Sequence, residues 1–204
     1  RDYILNAKFL GSLVVISILL FALGFLVMGI GLIAIGIPPT VEEFMRIVAF
    51  ILLSIVYVAF WLNLSIYFSV RFRQPATSAL SGIAVWLFFS VFYPMIINMV
   101  SKVFQPSEFA SVHEIAGYER LMTVLIYLLP NQLFSTATST LLMPSIRSLG
   151  TLSMEQITGA LPGPLPIGQS LMLVWSQVTA LIAATVFCFV MSYVSFMRKE
   201  IRSR

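Results

Sequence analysis

Long apolar stretches separated by short polar turns dominate this chain. Four of them, at residues 9–37, 44–70, 76–100 and 170–197, exceed the roughly 20 residues that a helix needs to cross a bilayer. Because an open strand would leave its backbone amides unpaired in hydrocarbon, only helices suit such stretches. The pattern predicts an all-α, polytopic membrane helix bundle, with residues 1–204 forming a single transmembrane domain.

The composition supports this prediction and excludes a soluble globular domain. Hydrophobic residues make up 59% of the 204 positions and charged residues only 10%, against roughly a quarter charged in soluble domains. The 12 basic residues exceed the 8 acidic ones, but they flank the apolar stretches instead of forming a stripe. This distribution indicates a lipid bilayer as the partner and no nucleic acid.

The basic flanks also predict the orientation, because short cytoplasmic loops retain lysine and arginine. Basic residues lie before the first stretch, between the second and third, and after the fourth, whereas the first intervening turn carries Glu42 and Glu43. The residues at the three basic places are Arg1, Lys8, Arg71, Arg73, Arg198, Lys199, Arg202 and Arg204. We therefore expect four crossings, with both ends of this chain in the cytoplasm.

Residues 101–169 form the ambiguous part of the chain. Within 121–143 the apolar run is too short to span and ends at Pro130, and a fifth crossing would put the basic tail outside. The pattern predicts a re-entrant or interfacial helix pair on the external side, and the residues leave that choice open. Ser107 and Glu108 suit the start of a short surface helix before it, and the prolines and glycines of 159–170 predict a loop after it.

Signatures of chemistry are absent from the sequence. No G-x-x-x-x-G-K-[ST], H-E-x-x-H or G-x-S-x-G motif occurs, so we expect no catalytic residue, cofactor site or metal site in this chain. His113 and Glu114 are neighbours that point in different directions on a helix. The ten methionines are scattered, and the single cysteine, Cys188, lies deep in an apolar stretch, which is typical of packing. ATP hydrolysis would then belong to another polypeptide.

A few small or polar residues inside the stretches are candidates for a site or for close packing. Four polar residues either line a substrate path or bridge helices by hydrogen bonds, namely Asn63, Asn98, Ser176 and Gln177. Four glycines allow close helix approach along part of the first stretch, namely Gly24, Gly29, Gly31 and Gly36. The only charge inside the last three stretches is Arg46, near the start of its own, which weighs against a self-powered secondary transporter.

Three segments carry a resemblance to a known family. They are RDYILNAKFLG at 1–11, VYVAFWLNLSIYFSVRFRQPATSAL at 56–80 and FMRKEIR at 196–202. Together they resemble the ABC-2 type transporter permeases, in the branch of the sodium-efflux and copper-processing permeases of bacteria and archaea. The resemblance implies six spans, so that this chain corresponds to the third to sixth spans of an N-terminally truncated permease in a prokaryotic inner membrane.

The resemblance also implies a partner and a mechanism. A permease of this kind pairs with a second permease subunit, as a homodimer or heterodimer, and with ABC ATPase subunits that hold ATP and magnesium. Contacts with the ATPase would come from the end of a coupling helix, Arg1, Asp2 and Tyr3, and from a second internal turn, Arg71, Arg73 and Gln74. The implied function is ATP-driven export of an unidentified substrate. The alternative is a non-transporting membrane partner that transmits ATPase-driven motion to an external enzyme or maturation system.

Overall fold

The structure is a computed structural model that describes residues 2–72, 74–106, 112–143 and 166–201. These residues form helices and short connections, with no strand among them. In chain order the helices are α1 (Asp2–Ile35), α2 (Val41–Arg71), α3 (Pro75–Leu87), a π-helical turn (Phe88–Phe92), α4 (Tyr93–Phe104), α5 (Val112–Tyr127), α6 (Pro130–Leu142) and α7 (Ile167–Ile201).

Four segments of the described residues are long and apolar enough to cross a membrane. Three of them lie within the single helices α1, α2 and α7, and the fourth combines α3, the π-helical turn and α4. This confirms the predicted all-α polytopic helix bundle. The helices run a few residues beyond most of the apolar stretches, because polar residues at the ends of a span can continue a helix outside the hydrocarbon.

The turn between α1 and α2 shows why the first helix ends before the apolar stretch does. Gly36 has a φ of 76°, in the left-handed region that favours glycine, and its N–H donates to the carbonyl of Leu32 at 2.8 Å. The helix therefore stops at Ile35. Helix α2 then begins with a capping box, in which Thr40 Oγ1 accepts from Glu43 N–H at 3.3 Å and Glu43 Oε2 accepts from Thr40 N–H at 2.7 Å.

The third span contains a π-helical turn that the hydrophobic pattern does not reveal. The N–H of Tyr93 donates to the carbonyl of Phe88, five residues earlier, directly before Pro94. Proline lacks an N–H and its ring conflicts with the carbonyl four residues before it. Widening the helix by one residue accommodates this proline without ending the span.

Helix α2 lies at the centre of the bundle. It packs antiparallel to α1, since the ring of Phe25 stacks on that of Phe44 and Gly24 lies against Ile51. It packs parallel to α7, since Arg46 contacts Ser170 at the start of both helices. The main buried cluster joins α2, α6 and α7, and its members are Leu53, Leu133, Ala137, Leu141, Val174 and Leu181.

Helices α5 and α6 form a hairpin that enters the bundle and returns to the same end. Helix α5 runs antiparallel along α4, because Tyr118 Oη lies 2.6 Å from Ser101 Oγ and Tyr93 Oη donates to the Leu125 carbonyl at 3.4 Å. After the buried Leu129, helix α6 returns along α2 and α7. This hairpin packs along the spans and not across their ends, which is the arrangement that a re-entrant helix pair requires. Ser107 and Glu108, the proposed start of the first helix, lie outside the described residues.

Candidate functional site

A buried arginine joins three helices at the end of the bundle that holds the α1–α2 turn. Arg46 is only 5% exposed. Its Nη1 donates to the carbonyl of Leu141 at 2.9 Å and to Ser170 Oγ at 3.2 Å, and its Nη2 pairs with Glu42 Oε1 at 2.8 Å. The last carbonyls of a helix have no partner within the helix. The guanidinium therefore caps α6 and holds it to the starts of α2 and α7.

Sequence reasoning treated Arg46 only as a charge near one end of a span and did not anticipate this role. One signal was present: Glu42 and Arg46 are four residues apart, the spacing at which side chains on a helix meet. No spacing or motif in the sequence indicates the distant partners, Leu141 and Ser170.

A second polar cluster joins the hairpin to α7 deeper in the bundle. Gln177 is 2% exposed, and its side-chain amide lies 3.0 Å from Tyr127 Oη. With its oxygen accepting from the Tyr127 hydroxyl, the amide nitrogen can donate to the carbonyls of Leu173 and Val174 and to Ser176 Oγ. That orientation gives both the oxygen and the nitrogen of the amide a partner, so we assign it. Ser176 and Gln177, two of the residues predicted to line a path or to bridge helices, thus connect α7 to the hairpin at Tyr127, where α5 ends.

The other two polar residues predicted for a path lie in different surroundings. Asn63 is 1% exposed on α2, and neither atom of its amide has a hydrogen-bond partner among the described residues. Asn98 is exposed on α4. Ser176 and Gln177 therefore share one polar cluster on α7, Asn63 is enclosed on α2, and Asn98 lies on the surface of this chain.

Of the residues predicted to contact an ATPase, those that the structure describes lie at the opposite end of the bundle from Arg46. Tyr3, in the first turn of α1, is 83% exposed, and Asp2 is the first residue of that helix. Arg71 is the last residue of α2, and Gln74 precedes α3 as its exposed N-cap residue. Because α1 and α2 are antiparallel, these positions share one end, which we call the basic end. Arg1 and Arg73 lie outside the described residues.

The remaining candidates for chemistry are dispersed. His113 and Glu114 are exposed on α5. Within the described residues, no group of three or more histidine, cysteine, aspartate or glutamate side chains is placed to hold a metal ion. Cys188 is half-buried on α7 as a free thiol.

Cavities open on both sides of α2. A cleft of about 520 Å³ lies between α2 and α3, beside the turn that joins them. Two grooves of about 490 and 360 Å³ lie between α1 and α2 and share the lining residues Met28, Ile47 and Leu142. The larger of these grooves reaches Arg46, whose polar groups are already engaged, whereas the α2–α3 cleft is lined by uncharged residues.

The fold defines a multi-pass membrane protein, and comparison with known families specifies its kind. The chain matches the family model for ABC-2 family transporter proteins over residues 1–201. It therefore belongs to the ABC-2 transporter family, as a membrane permease of an ABC transporter. No curated protein and no solved structure matches it significantly.

Proposed function

We propose that this chain is the membrane-spanning permease subunit of an ATP-driven exporter, working with a separate ABC ATPase that binds ATP and magnesium. Membership of the ABC-2 family over nearly the whole chain carries the proposal. The family resemblance noted for the sequence adds the branch of sodium-efflux and copper-processing permeases and two further spans before residue 1. It also adds a prokaryotic inner membrane as the location.

The geometry of the basic end supports a contact with the ATPase there. The start of α1 and the α2–α3 turn lie at the same end, and Tyr3 and Gln74 are exposed. Arg71 ends α2, whose C-terminal carbonyls favour a cation. We assign the ATPase contact to Asp2, Tyr3, Arg71 and Gln74 together with Arg1 and Arg73, and we place this end in the cytoplasm.

A second permease subunit fits the distribution of exposed apolar side chains. Most of α1 and of the third span is exposed within this chain, although both are strongly apolar. In a membrane these faces contact lipid or another helix bundle. We assign part of this surface to a dimer interface with a second permease subunit, which can be identical or different.

Site-specific crosslinking tests the ATPase contact directly. A photoreactive amino acid at Gln74, in the native protein and its own membranes, is expected to capture a polypeptide that azido-ATP also labels. The same amino acid at Pro39, in the α1–α2 turn at the other end of α2, is the matched control and should capture no such polypeptide. Equal capture at both positions, or none at Gln74, would contradict the proposed partner.

Transport itself requires a flux measurement. Inverted vesicles with the permease and its ATPase should accumulate the exported solute when ATP is added, and vesicles with an ATPase that binds but does not hydrolyse ATP should not. ATP hydrolysis that rises on assembly with the permease but drives no flux would contradict export.

One observation favours the alternative function, transmission of motion to an external enzyme. The hairpin is tied to the spans at Arg46, at Gln177 and at Tyr57, whose ring stacks on that of Phe134 with centroids 4.4 Å apart. A movement of α2 or α7 would therefore reach the hairpin. This alternative predicts loss of an external activity when the hairpin is altered, and vectorial flux of a solute would exclude it.

A further inference from the structure

Two of the cavities join into one long groove between α1 and α2. Their volumes are about 490 and 360 Å³, each in the range of small-molecule pockets. They share the lining residues Met28, Ile47 and Leu142, so the end of α6 borders both. On α1 the lining extends from Leu20 to Ile35, a distance of about 22 Å along the helix. We call the joined cavities the α1–α2 groove.

The part of the groove farther from the α1–α2 turn is apolar. Its lining contains one polar side chain, Ser54, whose hydroxyl donates to the carbonyl of Phe50 in its own helix at 2.8 Å. The lining residues Leu23 and Val27 are exposed on α1, at 57% and 66%. The side chains here thus offer a ligand no free hydrogen-bond donor, whereas a hydrocarbon chain would gain dispersion contacts along both helices.

A carboxylate lines the other part of the groove, at the α1–α2 turn, which we call the mouth. Glu43 is exposed, and its Oε2 accepts from the Thr40 N–H at 2.7 Å as part of the capping box. Its other oxygen, Oε1, has no hydrogen-bond or ion-pair partner in the part of the chain that the structure describes. This oxygen is available to a ligand, and its negative charge favours a cation.

The other charged residue of the lining, Arg46, does not cancel the charge of Glu43. The Arg46 guanidinium pairs with Glu42 at 2.8 Å, donates to Leu141 and Ser170, and belongs to a side chain that is almost fully buried. Two carboxylates and one guanidinium therefore leave one negative charge at the mouth.

An anionic head group finds little to bind at this mouth. Pro38 and Pro39 line it and have no N–H to donate, and the Glu43 carboxylate would repel a phosphate or a carboxylate. An ammonium group, by contrast, has three N–H donors and carries the opposite charge. The chemistry of the mouth therefore favours a cationic head group without a phosphate, which disfavours ordinary phospholipids.

We propose that the α1–α2 groove binds single-chain amphiphiles with a primary ammonium head group. The alkyl chain lies between α1 and α2 over Leu23 and Ile47, and the ammonium group lies beside Oε1 of Glu43. The length of the groove along α1 leaves room for a long alkyl chain behind the head group. Binding does not depend on the exporter function proposed above, because every contact is made within this chain.

Photolabelling provides the test. A hexadecylamine with a diazirine in its alkyl chain is added to the full-length protein in phosphatidylcholine nanodiscs, and the labelled residues are mapped by mass spectrometry. We expect saturable labelling of α1 and α2 at lining residues such as Leu23 and Ile47. Unlabelled hexadecylamine should displace the label, whereas palmitate, a carboxylate of equal chain length, should not.

Glu43→Gln tests the head-group contact without removing the helix cap. Glutamine can accept from the Thr40 N–H as glutamate does, so the substitution removes the charge alone. We expect half-saturation of the labelling to need roughly fivefold more amine, as for the loss of an ion pair at a protein surface. Glu114→Gln removes an exposed charge from α5, outside the groove, and should leave the labelling unchanged.

Gly31→Leu tests the groove itself. Gly31 lines the groove, and an added Cβ there would meet nothing within 4 Å, so leucine should fill the cavity without displacing a helix. Saturable labelling should disappear. Gly29→Leu, which also has open space around an added Cβ but lies outside the lining, is the matched control and should label like the native protein. Unchanged thermal stability without the amine shows that each variant is folded.

The other outcomes are decisive as well. Labelling insensitive to Gly31→Leu would overturn the site, and equal displacement by palmitate, or no effect of Glu43→Gln, would overturn the ammonium head group. Saturable labelling by a diazirine phosphatidylethanolamine that hexadecylamine fails to displace would assign the groove to bilayer lipid. A photoreactive amino acid at Val27 that captures a second permease subunit would assign it to the dimer interface. Either assignment would contradict the proposed ligand.

Discussion

The guanidinium of Arg46 donates a hydrogen bond of 2.9 Å to the main-chain carbonyl of Leu141, 95 residues further along the chain. This bond joins the start of the second span to the last turn of the α5–α6 hairpin. A buried arginine is costly unless its donors have partners, and here Glu42 and Ser170 supply two more. The cluster therefore fixes α6 against α2 and α7.

Replacing this arginine should loosen the hairpin. Arg46→Met keeps much of the side-chain volume but leaves the Leu141 carbonyl and the Ser170 hydroxyl without their donor. We expect the free energy of unfolding to fall by about 1–3 kcal/mol, the usual cost of leaving buried polar groups unpaired. Equilibrium unfolding in mixed micelles, followed by tryptophan emission or circular dichroism, measures this change.

Glu42→Gln is the matched control for the same cluster. The Glu42 side chain is 48% exposed, and removing its charge leaves the two buried hydrogen bonds of Arg46 intact. A half-exposed ion pair contributes little, so we expect a loss below about 1 kcal/mol. If the Glu42 variant were destabilised as strongly as the Arg46 variant, the ion pair and not the cap of α6 would be the stabilising contact.

One glycine, Gly24, lies at a close approach between α1 and α2. A Cβ at Gly24 would lie 2.5 Å from Cδ1 of Ile51, whereas one at Gly29 would have nothing within 4 Å. Gly24→Leu should therefore separate the two helices and cost about 1–3 kcal/mol by overpacking. Gly29→Leu should be nearly neutral in the same unfolding measurement.

A compensating change sharpens this prediction. Ile51→Ala removes the side chain that the leucine introduced by Gly24→Leu would meet, so combining the two substitutions should restore part of the lost stability. A double variant less stable than both single variants would show that Gly24 acts through something other than its contact with Ile51.

The cluster of Tyr127 and Gln177 should show coupling between the hairpin and the last span. Tyr127→Phe leaves the Gln177 oxygen without its hydroxyl donor, and Gln177→Leu removes the buried amide. In a double-mutant cycle we expect an interaction free energy of about 0.6 kcal/mol, and at most about 1.7, the range measured for hydrogen bonds between membrane helices. Strict additivity of the two changes would mean that the contact does not hold the hairpin to α7.

The four spans could be predicted from the sequence because lipid leaves the backbone no alternative to the helix. Their ends were less predictable. Gly36 stops α1 two residues before the apolar stretch ends, through a backbone conformation that hydropathy does not record. The π-helical turn before Pro94 is hidden for the same reason. Residues 112–127 form one helix, although the sequence suggested a polar surface helix followed by a separate apolar run.

The side chains of the candidate site were harder to predict. A span that is apolar on all sides does not show which face lies inside the protein. Asn63 and Asn98 are the same residue type in similar surroundings along the chain, yet the first is enclosed and the second is exposed. Only the packing of the helices in three dimensions distinguishes them. Two partners of Arg46, Leu141 and Ser170, were equally hidden, because they lie on helices far away in the sequence.

The re-entrant hairpin and the orientation of the spans can be tested together by cysteine labelling. Cys188→Ser removes the single native cysteine, and single cysteines are then placed by His113→Cys, Met143→Cys, Pro39→Cys and Gln74→Cys. A membrane-impermeant maleimide should label the first three in intact cells, because both ends of the hairpin and the α1–α2 turn share one side. The cysteine at position 74 should react only after permeabilisation. Opposite labelling of positions 113 and 143 would mean that the segment crosses the membrane, and labelling of position 74 alone would reverse the whole orientation.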